Sequence, residues 1–391
     1  MTAREREGLP AATVGPAPAA PVAREGYIAA LAALELVGPA RLRWLRACGP
    51  PGEVWHRLVA GTLDPGDGPQ PPVDPAGRFD AALSRWSAQA RGQAGLPERM
   101  ASRLDRLGVE VDGGDSMPEV LGSDPDPPGA VFRRGRTLDG SVPRVAVVGT
   151  RRASGYGQRV AESLGRALSE AGVSVVSGLA LGIDAAAHRG ALQGPTPAVA
   201  VIGAGHDRPC PVRNRALAER LVETGSVLSE VPPGIASAPW RYPVRNRLIA
   251  ALADVLVVVE SAAAGGSMLT VAEALGRDRP VMAVPGPIDH RASVGCHDLL
   301  RDGAEICTGV SDVLTLLGLC RGGEQPPPPP APQLSAAAAS VLAALAEGPM
   351  ATDTVMALTG AGLAEVSSAL TDLERAGLVS RRGGWIEALG G

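Results

Sequence analysis

Between Val142 and Leu319 short apolar runs alternate with longer stretches of helical periodicity. The runs fall at 145–149, 173–177, 198–203, 226–230, 255–260 and 280–284, and most are near-continuous Val, Ile, Leu and Ala. A strand with one wet face alternates apolar and polar residues, whereas a continuous run reads as a strand covered on both faces. The segments between, such as 157–171 and 268–276, repeat their apolar residues every three to four positions. Strand alternating with helix predicts an α/β domain built on a doubly wound, mostly parallel sheet.

The flanks have other periods. From Tyr27 to Gly61 a helical pattern is broken at "VGPARL", and Leu34, Val37, Leu42 and Leu45 line one face of an expected helix pair. A helix, a Gly-containing turn and a second helix make a helix-hairpin-helix-like unit, read here mainly as a packing module. Residues 79–107 return to helix, with Leu83, Trp86, Met100, Leu104 and Leu107 as core, and one short strand is expected at Ala130–Arg133. Residues 1–24, rich in Ala, Pro and Gly, are expected to be disordered, and Pro65–Pro75 to be a flexible loop. Pro326–Pro330 reads as a stiff linker. Beyond it, Ala337–Ala346, Thr352–Leu358 and Leu363–Ala376 read as three helices followed by a hairpin, the pattern of a winged helix. Its third helix carries Glu365, Asp372 and Glu374 against Arg375 alone, so a protein-contact module fits at least as well as a DNA reader. The expected organisation is 1–24 disordered, 25–110 helical, 111–320 the α/β core, 321–334 linker and 335–391 winged helix.

Composition narrows the chemistry. A chain of 391 residues implies two or three domains, and with aromatics at 3% the cores must be made of Ala, Val and Leu. The net charge of −4 gives no global pull toward a polyanion, so any such site must be a local gathering of cations. There is no lysine: all 37 basic residues are Arg. That excludes a Schiff-base enzyme and a P-loop with its usual Lys. Cys48, Cys210, Cys296, Cys307 and Cys320 form no CxxC pair and no Cys/His metal spacing, which argues against zinc or a disulfide framework and fits a reducing cytosol. The N-terminus has no signal pattern, and no apolar run reaches membrane-spanning length. A soluble, cytoplasmic protein without membrane contact or cofactor is expected.

The candidate chemistry starts at "VAVVGTRRASGYG". The run ends at Gly149, and Gly155 and Gly157 permit close backbone approach where a helix begins. The spacing is not the dinucleotide fingerprint, and the second strand ends at Ser177-Gly178 without the acidic residue a ribose needs. Arg151, with Arg152 in support, is a natural phosphate ligand because its guanidinium fork matches phosphate oxygens. Later strand ends add Arg208, Arg213 and Arg215, then Arg241, Arg245 and Arg247, and then Gly265, Gly266 and Ser267 at a helix start. In this fold all these turns converge on one rim, joined by Tyr156, Trp240 and Tyr242. Arginines interleaved with a few aromatics are the composition of a single-strand binder, with Tyr242 or Trp240 as a stacking platform. Catalysis finds little support. Asp184 and His188 stand four apart on an expected helix with no nucleophile beside them, and Ser177 and Asp184 read as residues that tie a turn. Glu230 and Glu260 read as acceptors for loop N–H groups or Arg.

These motifs resemble one family, the DNA-processing protein DprA, also called Smf. The resemblance rests on "VAVVGTRRASGYG", "SGLALGIDAAAHRGAL", "VIGAGHDRPCPVRN", "LSEVPPG", "YPVRNRLIAAL", "GGSMLTVAEAL" and "AVPGPI…VGCHDLLRDGAEI", in the family's order over roughly 145–308. The pattern departs at Cys210, where an aromatic is usual, at Arg213, near which a Lys is frequent, at His297, where Asn is usual, and at Gly265-Gly266-Ser267 in place of Ser-Gly-Ser. The resemblance implies an extended Rossmann-like core between an N-terminal helical domain, of the SAM or helix-hairpin-helix kind, and a C-terminal winged helix. It implies a homodimeric, non-catalytic, cytoplasmic protein that binds and protects single-stranded DNA in natural transformation and loads the RecA recombinase onto it. Its site falls on Gly149, Thr150, Arg151, Arg152, Arg213, Tyr242, Arg245, Asn246, Arg247, Gly266 and Ser267. A different class, a nucleotide phosphoribohydrolase of the LOG group, is marked by PGGxGTxxE. "AGGSMLTVAE" keeps two glycines, a Thr and Glu273 of that motif but lacks its Pro and its second Gly-Thr pair.

Overall fold

The computed structural model describes residues 22–72, 79–208, 211–319, 334–346, 348–376, 378–382 and 384–388. Residues 1–21 of the expected disordered segment, residues 73–75 of the expected loop, the Pro326–Pro330 linker, Cys210 and Cys320 lie outside them. The described residues fall into two compact units, one on either side of the Pro-rich segment.

The first unit begins with five helices: α1 (Arg24–Ala32), α2 (Pro39–Ala47), α3 (Pro51–Ala60), α4 (Phe79–Gly92) and α5 (Leu96–Leu107). Pro at the first or second position starts α2, α3 and α5, where its missing N–H costs nothing, and left-handed Gly61 and Gly108 end α3 and α5. The expected helix pair over 27–61 is therefore three helices. Leu34 and Val37 sit in the connection after α1 rather than on a helix face. The core of the array is Leu31, Leu45, Trp55, Leu58, Trp86 and Leu104, closed by Phe132 from the sheet.

The sheet has nine strands in the order β1-β2-β6-β5-β4-β3-β7-β8-β9. These are β1 (Glu110–Asp112), β2 (Val131–Gly135), β3 (Arg144–Gly149), β4 (Ser174–Ser177), β5 (Val199–Ile202), β6 (Ser226–Ser229), β7 (Val255–Glu260), β8 (Val281–Ala283) and β9 (Glu305–Ile306). β3 to β9 pair in parallel, and β2 adds antiparallel to β6 with β1 outside it. Each of the six core strands read from the apolar runs is present.

The helices between them are a short α6 (Glu119–Gly122), α7 (Gly155–Glu170), α8 (Ile183–Ala191), α9 (Arg215–Thr224), α10 (Arg241–Leu252), α11 (Gly266–Leu275), α12 (Val294–Arg301) and α13 (Val310–Leu316). Leu164, Leu168, Ile183, Leu221 and Val313 cover one face of the sheet. Leu121, Leu248, Leu252, Val271 and Leu299 cover the other. Coverage on both sides is why the strands carry no polar alternation. Walking outward from β3, the chain winds through β4, β5 and β6 on one side and β7, β8 and β9 on the other. The winding reverses between β3 and β7, and in doubly wound sheets that reversal opens a crevice at the carboxyl ends of the strands.

The second unit holds α14 (Ala336–Leu345), α15 (Thr352–Thr359) and α16 (Leu363–Arg375) with a small antiparallel sheet. Its strands are β10 (Met350–Ala351), β11 (Val379–Arg382) and β12 (Trp385–Ala388), in the order β10-β12-β11. Three helices and a hairpin around Val341, Val355, Val366, Leu370 and Ile386 make the winged helix that the sequence predicts.

Candidate nucleic-acid interface

The turn after β3 stands at the reversal point. Gly149 is required there, because a Cβ would sit 2.6 Å from Ile183 Cγ1 and 2.7 Å from the Glu260 carbonyl oxygen. Thr150 N donates to that carbonyl at 2.7 Å. Arg152 N donates to Thr150 Oγ1 at 3.2 Å, which folds the two arginines back over the strand end. Ser154 caps α7 by accepting from Gly157 N at 3.0 Å. The Glu260 carboxylate accepts from Ser154 N at 2.9 Å and from Ser154 Oγ at 2.5 Å. Glu260 is thus a brace between β7 and the β3–α7 turn, as its reading as a loop acceptor has it.

Above this turn opens a cleft of about 610 Å³. Gly149 to Arg152 form one wall, Tyr242, Arg245 and Asn246 of α10 a second, and Gly265 to Ser267 with Leu269 of α11 a third. Arg151 stacks on Tyr242, its guanidinium carbon 4.8 Å from the ring centroid. Arg245 is buried, and its Nη1 donates to the Val201 carbonyl at 2.8 Å. Its guanidinium lies on Gly178, where any Cβ would collide with it. Asn246 Nδ2 donates to Gly266 O at 3.5 Å, and Ser267 Oγ donates to Ser261 Oγ at 2.8 Å, fixing the start of α11. That start points unsatisfied backbone N–H groups and the positive end of the helix dipole at the cleft. Asp184 is the one carboxylate among the described lining residues, and its Oδ2 accepts from Gly178 N at 3.2 Å and Ala180 N at 3.3 Å. Burial pushes its pKa up, while Arg245 nearby pulls it down. The cleft can hold phosphate oxygens on two guanidiniums and a helix terminus, with Ile249, Pro243 and Leu269 as apolar surface for bases.

Nine of the eleven residues singled out in the sequence line this cleft: Gly149, Thr150, Arg151, Arg152, Tyr242, Arg245, Asn246, Gly266 and Ser267. Arg213 stands exposed in the turn Val212–Asn214 and does not line it. Arg247 needs correcting. It is 4% exposed, with Nη2 2.5 Å from Glu230 Oε1 and Nε 3.3 Å from Asp126 Oδ2. Two residues apart on a helix is about 200°, so Arg245 and Arg247 of α10 cannot face the same ligand. Arg247 is a buried ion-pair residue neutralised by its own chain. Tyr156 packs inward, its hydroxyl donating to the Pro285 carbonyl at 2.9 Å. Trp240 is 52% exposed and carries Arg241 4.5 Å from its ring centroid. Sequence reasoning missed Ser261, the partner of Ser267, and the lining side chains Leu269 and Thr270; the start of a helix facing the strand ends was the available signal for the last two.

The residues weighed for catalysis are engaged within the fold. Asp184 turns to the Gly178 and Ala180 amides, and buried His188 is directed to the Ser177 backbone rather than to Asp184. Burial drops the His188 pKa to about 4, so the ring is neutral at pH 7. Glu273, the carboxylate of the hydrolase-like motif, is held 2.6 Å from Arg277 Nη1 and does not line the cleft. His297 donates from Nε2 to the Gly286 carbonyl at 3.0 Å. No group of metal-binding side chains occurs among the described residues, and none of their helices is long and apolar enough to cross a membrane. In the winged helix, Arg375 pairs with Asp372 at 3.4 Å and Arg381 with Glu374 at 3.1 Å, so of the acids on α16 Glu365 alone has no ion pair among the described residues.

A family model described as DNA recombination-mediator protein A matches residues 111–318, and a DprA winged helix domain model matches 325–384. A putative DNA processing protein DprA of Mycobacterium tuberculosis is 44% identical over 63% of this chain, and the match covers 65% of that relative, just under two thirds of its length. Protein Smf of Synechocystis is 33% identical over 68% of this chain and 76% of its own. The X-ray structure of DprA from Streptococcus pneumoniae superposes with a TM-score of 0.56 at 29% identity, covering 71% of this chain and 98% of that one.

Proposed function

From the premise that the chain belongs to the DprA/Smf family of DNA recombination-mediator proteins, we propose that it binds single-stranded DNA in the cleft between β3 and β7. The observation that carries this reading is the meeting of Arg151, Arg245 and the start of α11 around a space with an apolar floor. Phosphates lie on the cations and the helix terminus, and bases lie against Leu269, Pro243 and the Arg151–Tyr242 pair. A cleft of this shape has no element that fits a duplex groove, so unpaired DNA is the preferred substrate.

In this reading the protein acts without catalysis, as a cytoplasmic homodimer that shields single strands during natural transformation and passes them to the RecA recombinase. The one basic residue of α16, Arg375, is held by Asp372, which leaves the helix little free positive charge and supports a protein-contact role for the winged helix. Gel shifts of single-stranded against double-stranded oligonucleotides at two salt concentrations test the DNA reading. Preference for the single strand, weakening with salt, is expected; equal or stronger duplex binding contradicts it. Free base released from nucleoside monophosphates would point to the hydrolase class instead.

A further inference from the structure

Helix α5 sets Arg99, Arg103 and Arg106 on one face, because residues three and four apart stack along a helix, while Pro97, Met100 and Leu104 are buried. Arg99 and Arg106 are exposed, and among the described residues neither side chain has an ion pair or hydrogen bond. Glu98 is the one acidic residue among the described residues lining the hollow beside them, and Asp207 meets Arg103 from the sheet rim. Spacings of four and seven residues put the outer two cations about 10 Å apart along the axis. Three cations in a row, two of them unneutralised, stand out in a chain of net charge −4.

Arg103 ties this stripe to the rim that carries the cleft. Its guanidinium rests against Gly234, and its Nε is 3.9 Å from Asp207 Oδ2. Asp207 Oδ1 accepts from Gly234 N at 2.7 Å, lacing the loops after β5 and β6 together. Asp207 follows Gly203 by four residues, and a Cβ at Gly203 would stand 3.6 Å from the ring of Tyr242. Four residues span at most about 14 Å, so the stripe begins a few nucleotides from the Arg151–Tyr242 pair. Exposed Arg208 sits on the loop between them.

We propose that Arg99, Arg103 and Arg106 form a second segment of binding surface for the phosphodiester backbone of the same single strand, extending its path from the cleft over the β5–β6 rim onto α5. The proposal rests on reading the cleft as a single-strand site.

The test is a double variant, Arg99→Ser with Arg106→Ser, which leaves Arg103 and its loop contacts in place. Fluorescence anisotropy with labelled oligo-dT of about 8 and about 30 nucleotides is read over a range of salt. The short oligonucleotide keeps its affinity within about twofold; the long one weakens about tenfold, and its log K against log salt slope shrinks by roughly 1.4, from two lost contacts at about 0.7 each. An unchanged long-oligonucleotide affinity and slope overturns the proposal. So does an equal loss on both lengths, which marks a diffuse field, or a loss seen only with blunt duplex. Arg151→Ala, run in parallel, weakens both lengths. If it changes neither, the cleft reading fails, and that result is distinct from failure of the α5 segment.

Discussion

Arg151 lies over the ring of Tyr242, its guanidinium carbon 4.8 Å from the ring centroid. The aromatic is therefore not a bare stacking platform. One face of the ring carries a cation held by the ring quadrupole, an attraction of about 0.5–1 kcal/mol at a solvent-exposed position. The ring restrains the arginine where a phosphate would meet it. Arg151→Ala is expected to weaken single-stranded DNA binding about tenfold whatever the base sequence, with a salt slope shallower by roughly 0.7. Tyr242→Leu, which keeps the cation but frees it, should cost about two- to fivefold with the slope preserved. Anisotropy titrations at several salt concentrations separate the two.

Arg247 makes the opposite prediction. Removing it takes the cation from buried Glu230, and breaking a buried pair from one side costs about 3–5 kcal/mol where the carboxylate stays charged, less where it takes up a proton. Arg247→Met should lower the denaturation midpoint sharply, and adding Glu230→Leu should recover most of the loss. Urea unfolding of the single and double variants checks this; a stable Arg247→Met protein with weakened DNA binding would return the residue to the interface.

Glu230 also gives a pH signature. Burial raises its pKa from an ordinary 4.5 to about 7, against the pull of Arg247. The folded state thus holds a proton that the unfolded state has released, so the stability this proton contributes is fully present below about pH 4.5 and lost as pH rises through 7. Glu230→Gln mimics the protonated form. Wild type and variant should match near pH 5, and the wild type should fall behind by pH 8. Thermal midpoints across that range read the difference, and a difference flat with pH rules the titration out.

The winged helix should be separable from DNA binding. With Arg375, the one basic residue of α16, engaged by Asp372, the helix offers a duplex little positive charge. Deleting 335–391 is expected to leave single-stranded affinity within about twofold, given the small electrostatic contribution of a surface with no free cation excess. The same deletion should abolish the pull-down of RecA that the proposed hand-over entails. A large loss of DNA affinity would reassign the unit.

The parallel core was legible because its strands are buried on both faces and so announce themselves as unbroken Val-rich runs. β9 was not, since it is two residues long and both Glu305 and Ile306 are exposed. β1 is three residues whose pattern is set by its pairing with β2, a partner more than twenty residues away. In the cleft, the turn glycines and Arg151 followed from local sequence. The separation of Arg245 from Arg247 was half visible: helical geometry puts them on different sides, but which side meets solvent depends on Glu230 and Asp126, which approach from distant parts of the chain.

The acidic stretch after α6 fastens more than one element. Asp124 receives Arg277, in the turn after α11, at 2.8 Å, and Asp126 receives Arg43 of α2 at 2.9 Å with Arg247 of α10 at 3.3 Å. Two walls of the cleft and the N-terminal helical array are therefore buckled to one strap three residues wide. An outward swing of α10 or of α11 pulls on an anchor that the other shares, so the gauge of the opening is set from behind.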